Sequence, residues 1–222
     1  MSLLAGPRRP PKRPGPPRQL VVLLHGVGAD GADLIELAPA LALRLPQAAF
    51  VAPDAPQPCD MAPFGRQWFS LRDRRPAALL AGVRASAPLL DAFLDAELAR
   101  HGLDNRQLAL VGFSQGTMLA LHVALRRAPA LAAVLGFSGA LLGAERLAEE
   151  LVARPPVFLV HGDADEVVPV TALHAAVGGL QAAAVPVQWS VRRSLTHAID
   201  PESIAHGGAF LAAAFAEAER AG

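Results

Sequence analysis

The 222-residue chain reads as an α/β protein with a mostly parallel central sheet and helices on both faces, and three observations predict this. Short apolar runs without polar alternation recur along the chain, as expected of strands buried on both sides. Segments of helical spacing separate them, which is what parallel strands need for their crossovers. Finally, 52% of the residues are hydrophobic and 18% charged, enough for one large core. With Cys59 as the sole cysteine, no internal disulfide supports the fold, so the core must hold it.

Residues 1–18 combine prolines with Arg8, Arg9, Lys12, Arg13 and Arg18. Proline disfavours helix and central strand, so this stretch is expected to be an extended or disordered arm ahead of a single domain, residues 19–222. Residues 20–24 are the first buried strand, and Leu34, Leu37, Leu41 and Leu45 carry the helical spacing of a helix over 32–45. Residues 48–52 form the next strand. Prolines and aromatics then break the rhythm over residues 53–76, and loops of that length are usually functional or mobile. A helix follows over 77–101, interrupted at Pro88, with Asp91, Asp95, Glu97 and Arg100 on its solvated face. The remaining elements alternate: strand 108–111, helix 115–126, strand 132–137, a short helix 144–151, strand 157–160, helix 170–183, strand 187–191 and helix 201–220. In such sheets ligands bind at the carboxyl ends of the strands, so the residues just after each strand are the ones to inspect.

Twenty basic and twenty acidic residues cancel, which argues against a nucleic-acid or membrane-surface protein. The basic arm is expected to be a solvated tail. No apolar run is long enough to span a bilayer and the N-terminus lacks a signal-peptide core, so the expected compartment is the cytoplasm. Histidines and carboxylates show no metal-ligand spacing, and neither metal nor cofactor is expected. A homodimer is compatible with the sequence, on the frequency of two-fold assemblies alone.

Four strand ends carry chemistry. The strand over 108–111 runs into Gly112-Phe113-Ser114-Gln115-Gly116, the G-x-S-x-G pattern in which a strained strand-to-helix turn lifts a serine hydroxyl clear of the backbone. Glycines on both sides leave room for that turn. The first strand ends in His25-Gly26-Val27-Gly28, a turn whose N–H groups can face a developing oxyanion. After 157–160 comes a loop with Asp163 and Asp165, and after 187–191 comes His197. A serine needs a histidine to take its proton, and the histidine needs a carboxylate to fix its tautomer. Ser114, Asp165 and His197 follow one another in the order serine, acid, histidine. Asp163 is an alternative acid or a turn-forming residue. His174 and His206 read as structural or solvated helix residues, while His25, His101, His122 and His161 precede the acid and break the order. Cys59, without glycine framing, reads as a bystander. Met61, Phe64, Trp68 and Phe69, from the loop over 53–76, supply an apolar surface suited to an acyl chain.

The segments LLHGVGADG, GRQWFSL, GFSQGTMLAL, HGDADEVVP and LTHAIDPES together resemble the phospholipase/carboxylesterase family of α/β-hydrolases, which includes the acyl-protein thioesterases. That resemblance implies an α/β-hydrolase fold and cofactor-free hydrolysis of carboxylic esters or thioesters. It implies Ser114 as nucleophile, Asp165 as the orienting acid, His197 as base, and the backbone N–H groups of Val27 and Gln115 as oxyanion donors. It also sets Trp68 and Phe69 beside the active site as walls of the acyl pocket. Thr196 departs from the glycine that many members carry before the histidine, so the turn bearing His197 is expected to differ slightly. The sequence thus points to a serine esterase for small-molecule esters of short or medium chain. Long-chain thioesterase or lysophospholipase activity, and a non-catalytic binding protein of the same fold, are the alternatives.

Overall fold

The computed structural model describes residues 4–221; residues 1–3 of the predicted arm and Gly222 lie outside them. The strands are β1 (Arg8–Arg9), β2 (Gln19–Leu24), β3 (Ala48–Val51), β4 (Gln57–Pro58), β5 (Arg66–Gln67), β6 (Leu108–Phe113), β7 (Ala133–Phe137), β8 (Val157–Gly162) and β9 (Val187–Arg192). The helices are α1 (Gly31–Leu34), α2 (Ala38–Leu41), α3 (Pro76–His101), α4 (Gln115–Ala124), α5 (Leu147–Glu150), α6 (Thr171–Ala182) and α7 (Pro201–Arg220). Seven strands form one sheet in the order β1-β3-β2-β6-β7-β8-β9. All neighbours are parallel except β1, which runs antiparallel along β3. This is the predicted α/β-hydrolase architecture.

The apolar strands are buried because both faces are covered. On one face, Leu90, Phe93 and Leu94 of α3 pack with Leu119 of α4 and Leu173 of α6. On the other, Leu41 of α2 packs with Phe50, Leu211 and Phe215, the last two from α7. Full burial of each such side chain contributes roughly 1.5–3 kcal/mol of transfer free energy, so neither layer can be stripped without unfolding the sheet.

Four expectations need correction. The segment over 32–45 is not one helix: α1, a 3₁₀ turn and α2 follow in succession, because Pro39, which has no N–H to donate and is best accommodated in a first turn, takes that position in α2. Conversely, α3 runs unbroken through Pro88, whose ring lies on the exposed side. Glu97 is buried, not solvated, since the N-terminal arm lays Arg8 across it, with Nη2 2.7 Å from Oε1. The arm itself is ordered sheet edge over part of its length. Besides the β1 pairing, Ala52 N–H donates to Pro7 O at 3.1 Å and Asp54 N–H to Ala5 O at 2.8 Å. A fifth point concerns length alone. Helix α3 is long and apolar enough to cross a membrane, contrary to the sequence reading, yet here it forms one layer of the core.

The chain leaves β2 for β3 on one side and returns to β6 on the other, so the order reverses between β2 and β6. Crevices form outside the carboxyl ends of strands at such a switch. The turn at residues 25–28 and Ser114 lie there.

Candidate active site

Ser114 sits between β6 and α4 at φ 52°, ψ −115°, a conformation that costs on the order of 1–3 kcal/mol for a residue with a side chain. The surroundings force it. A Cβ on Gly112 would overlap the backbone of Thr117, and one on Gly116 would overlap the carbonyl of Leu24, so the helix packs against both strands only because these positions lack side chains. Ser114 N–H donates to Phe137 O at 2.9 Å, and its carbonyl accepts from Thr117 N–H at 3.0 Å and Met118 N–H at 3.2 Å. These bonds hold the strained turn in place.

The loop after β8 holds the candidate acid. Asp165 is buried, and its Oδ1 accepts from the backbone N–H of Val167 and Val168, both at 2.9 Å. Its Oδ2 accepts from His197 Nδ1 at 2.7 Å. His161, also buried, donates from Nε2 to Val168 O at 2.7 Å and places the same nitrogen 3.3 Å from Asp165 Oδ2. Burial works against the Asp165 charge, but the bond from His197 and the amides of Val168 and Val167 outweigh it and hold the carboxyl below its ordinary range. An ionised carboxylate only accepts, so His197 carries its proton on Nδ1 and leaves Nε2 as a base. Asp163 does something else: its Oδ1 accepts from Ser194 N–H at 2.6 Å, tying the β8 loop to the loop that carries His197. In that second loop the positive φ belongs to Ser194, at 58°, and not to Thr196. A side chain at residue 196 therefore adds no backbone strain. Phe113 packs on the imidazole of His197, with ring centroids 4.8 Å apart. Among the described residues, no hydrogen bond yet joins the Ser114 hydroxyl to His197, and in ligand-free sites such contacts commonly tighten only when substrate binds.

The turn after β2 is held from a distance. His25 Nε2 accepts from Ala55 N–H at 3.0 Å, so Nδ1 is the protonated nitrogen and donates to Gly26 O at 2.7 Å. Burial pushes the His25 pKa down and keeps the ring neutral. Trp68 Nε1–H donates to His25 O at 2.9 Å. Gly28 N–H reaches Arg66 O at 2.8 Å and Arg66 N–H reaches Ala29 O at 2.9 Å, which stitches the turn to the β4–β5 hairpin. The side chain of Gln115 spans to the same segment, accepting from Trp68 N–H at 2.8 Å and donating to Phe69 O at 2.7 Å. Among the described residues the N–H groups of Val27 and Gln115 have no hydrogen-bond partner, which is the condition for donating to a ligand.

Ser114, His197 and Val27 open onto one cleft of about 410 Å³, walled by Met61, Leu71, Phe113, Met118, Val168 and Pro169. Of the predicted acyl-pocket residues, Met61 lines it. Trp68 and Phe69 do not: both are buried in the core, where Trp68 braces the β2 turn. Phe64 is 73% exposed and outside the cleft. Cys59, read as a bystander, is part of the wall. Sequence reasoning also missed His25, His161 and the side chain of Gln115, none of which stands in a position that spacing alone distinguishes.

Fold and cleft together define the class, an α/β-hydrolase and, within it, a serine hydrolase. Residues 11–214 match the phospholipase/carboxylesterase family, and the chain belongs to that family. It is 30% identical to esterase YpfH of Escherichia coli strain K12 over 190 residues, covering 85% of this chain and 80% of that protein. With acyl-protein thioesterase 1 of Saccharomyces cerevisiae it shares 29% identity over 168 residues, 70% of this chain and 74% of that one. Among solved structures, esterase PE8 is 40% identical and superposes with a TM-score of 0.90, covering 95% of this chain and 98% of that chain.

Proposed function

We propose that the chain is a cytoplasmic serine carboxylesterase acting on carboxylic esters of short to medium acyl chains through an acyl-enzyme. Ser114 Oγ gives its proton to His197 Nε2 and attacks the acyl carbonyl. The tetrahedral oxyanion accepts hydrogen bonds from Val27 and Gln115 N–H. His197 then protonates the leaving alcohol, whose bond to the acyl carbon breaks, and water repeats the sequence to free Ser114 and the acid. Asp165 stays ionised and holds His197 throughout.

The observation that carries this reading is the 2.7 Å bond to Asp165 from Nδ1 of His197, a histidine that lines the same cleft as Ser114. A cleft of about 410 Å³ lies toward the small end of ligand pockets, roughly 300–1,000 Å³, which favours shorter chains. A second reading, hydrolysis of long acyl chains as a thioesterase or lysophospholipase, is favoured by the rim. Met61 and Val167, 52% and 57% exposed, extend the apolar wall outward. Hydrolysis of p-nitrophenyl esters from acetate to palmitate tests both. Wild type should turn over with its optimum at short or medium chains, and Ser114→Ala should lose about 10⁴-fold or more in kcat. A palmitate optimum would move the assignment to the second reading, and equal inertness of two folded proteins would leave a binding protein.

A further inference from the structure

Residues 72–75 read Arg-Asp-Arg-Arg, and three of these four charges are already matched. Arg72 donates to Asp60 O at 2.7 Å and lies 3.5 Å from that residue's carboxylate. Asp73 and Arg75 pair with each other at 2.5 Å. Arg74 alone has no ion-pair or hydrogen-bond partner among the described residues, and it lines the cleft beside Ser114 and His197. Among the described residues it is the one permanently charged side chain there. The other residues lining the cleft are apolar or neutral, Met61, Leu71, Leu79 and Met118 among them. The carboxylate nearest the machinery, Asp165, is buried and committed to His197 and two backbone amides.

A guanidinium at an apolar wall is poised for an anion. Its forked donors match a carboxylate or phosphate, and no other charge lining the cleft competes for the anion. The segment that presents it is braced by the Asp60 and Asp73 contacts and by Pro76, which opens α3. Resting on the esterase reading above, we infer that Arg74 selects esters carrying a second, ionised acid group, a carboxylate or a phosphate, with the apolar walls taking the hydrocarbon between that anion and the scissile carbonyl.

Matched ester pairs test this, with the anion on either side of the scissile bond. On the acyl side, mono-p-nitrophenyl glutarate is compared with p-nitrophenyl pentanoate. On the alcohol side, 4-butanoyloxybenzoate and 4-butanoyloxyphenyl phosphate are compared with 4-butanoyloxybenzamide. The quantity read is the ratio of kcat/KM for the anionic ester to that for its neutral partner, in wild type, Arg74→Met and Arg74→Lys. In at least one arm the wild-type ratio should exceed unity, fall about 10-fold in Arg74→Met through KM, recover partly in Arg74→Lys, and shrink in 1 M salt. The arm that responds tells whether the anion belongs to the acyl or the alcohol part, and the benzoate and phosphate members separate the two acids. A preference for the neutral ester in every arm, or an anionic preference that survives in Arg74→Met, overturns the assignment while leaving the esterase reading intact. Failure of wild type to hydrolyse any of these esters, with no difference from Ser114→Ala, overturns both.

Discussion

The loop after β8 and the turn after β2 each hold one part of the proposed machinery, by opposite means. Asp165 is fixed almost entirely by its own stretch of chain: Val167, Val168 and His161 all lie within four residues of it. The turn at residues 25–28 is fixed by groups far away in sequence, Ala55, Arg66 and Trp68. A short loop that satisfies its own carboxylate is a nearly self-contained unit, whereas the turn is correct only when a hairpin some forty residues on has docked. Substitutions should therefore act locally on the first and remotely on the second.

The largest effect should come from the first. Asp165→Asn removes the acceptor that fixes the His197 tautomer and should lower kcat by about 10⁴-fold without unfolding the protein. Asp163→Asn, in the same loop, loosens only the tie to Ser194 and should stay within about 10-fold; steady-state ester hydrolysis with circular dichroism checks both. If Asp163→Asn proved the more damaging, the division of labour in this loop would be reversed.

Next is Gly65→Ala, in the hairpin. Gly65 has φ 75°, and a Cβ there would overlap the carbonyl of Gly28, so the new methyl pushes on the turn that carries Val27. Loss of one oxyanion donor costs on the order of 10²–10³ in kcat, and a loss of that size from a residue that touches no substrate is the expected outcome. An unchanged kcat would show that the turn does not depend on the hairpin.

Trp68→Phe should follow, with a smaller effect. It keeps most of the buried ring but strands the carbonyl of His25, and an unpaired buried acceptor costs about 1–3 kcal/mol. Urea unfolding should read that loss directly. A variant as stable as wild type would mean that Trp68 acts by packing alone.

The smallest effect concerns a histidine outside both regions. His122 on α4 is buried with Nδ1 unpartnered; burial first, then the positive charge of Arg126, pushes its pKa down to about 4. The unfolded chain binds that proton near pH 6.5, so the unfolded state holds more protons between these values. Stability is thus full above about pH 6.5 and declines as pH falls toward 4. His25, whose two ring nitrogens are both engaged, shares the direction. His122→Leu should flatten the melting temperature against pH over that window relative to wild type, and an unchanged slope would assign the acid sensitivity to other groups.

Much of the fold was legible because buried strands and amphipathic helices write themselves as runs and periods. Helix α7 spans the predicted residues 201–220, and the predicted strand at 187–191 is β9 less one residue. The elbow around Ser114 was legible because two glycines mark a place where the backbone admits no Cβ. Residues whose role depends on a distant partner were not. Trp68 could be read as a pocket wall because nothing local says that its indole N–H meets the carbonyl of His25. Glu97 looked solvated because the arm that covers it is far off in the chain. His161 looked like one more histidine out of order, although it lies against the Asp165 carboxylate.

By itself, then, the sequence determined the alternation of strand and helix, the strained serine turn, and the order of serine, acid and histidine along the chain. Each follows from sterics, from hydrophobic period, or from chemistry a few residues wide. Only the tertiary structure decided that Asp165 and not Asp163 bonds His197, that Trp68 braces while Met61 lines, and that Arg74 is left over among its neighbours. Those outcomes depend on which groups meet across the fold once the sheet has closed, and a buried polar atom takes whichever partner the packing delivers to it.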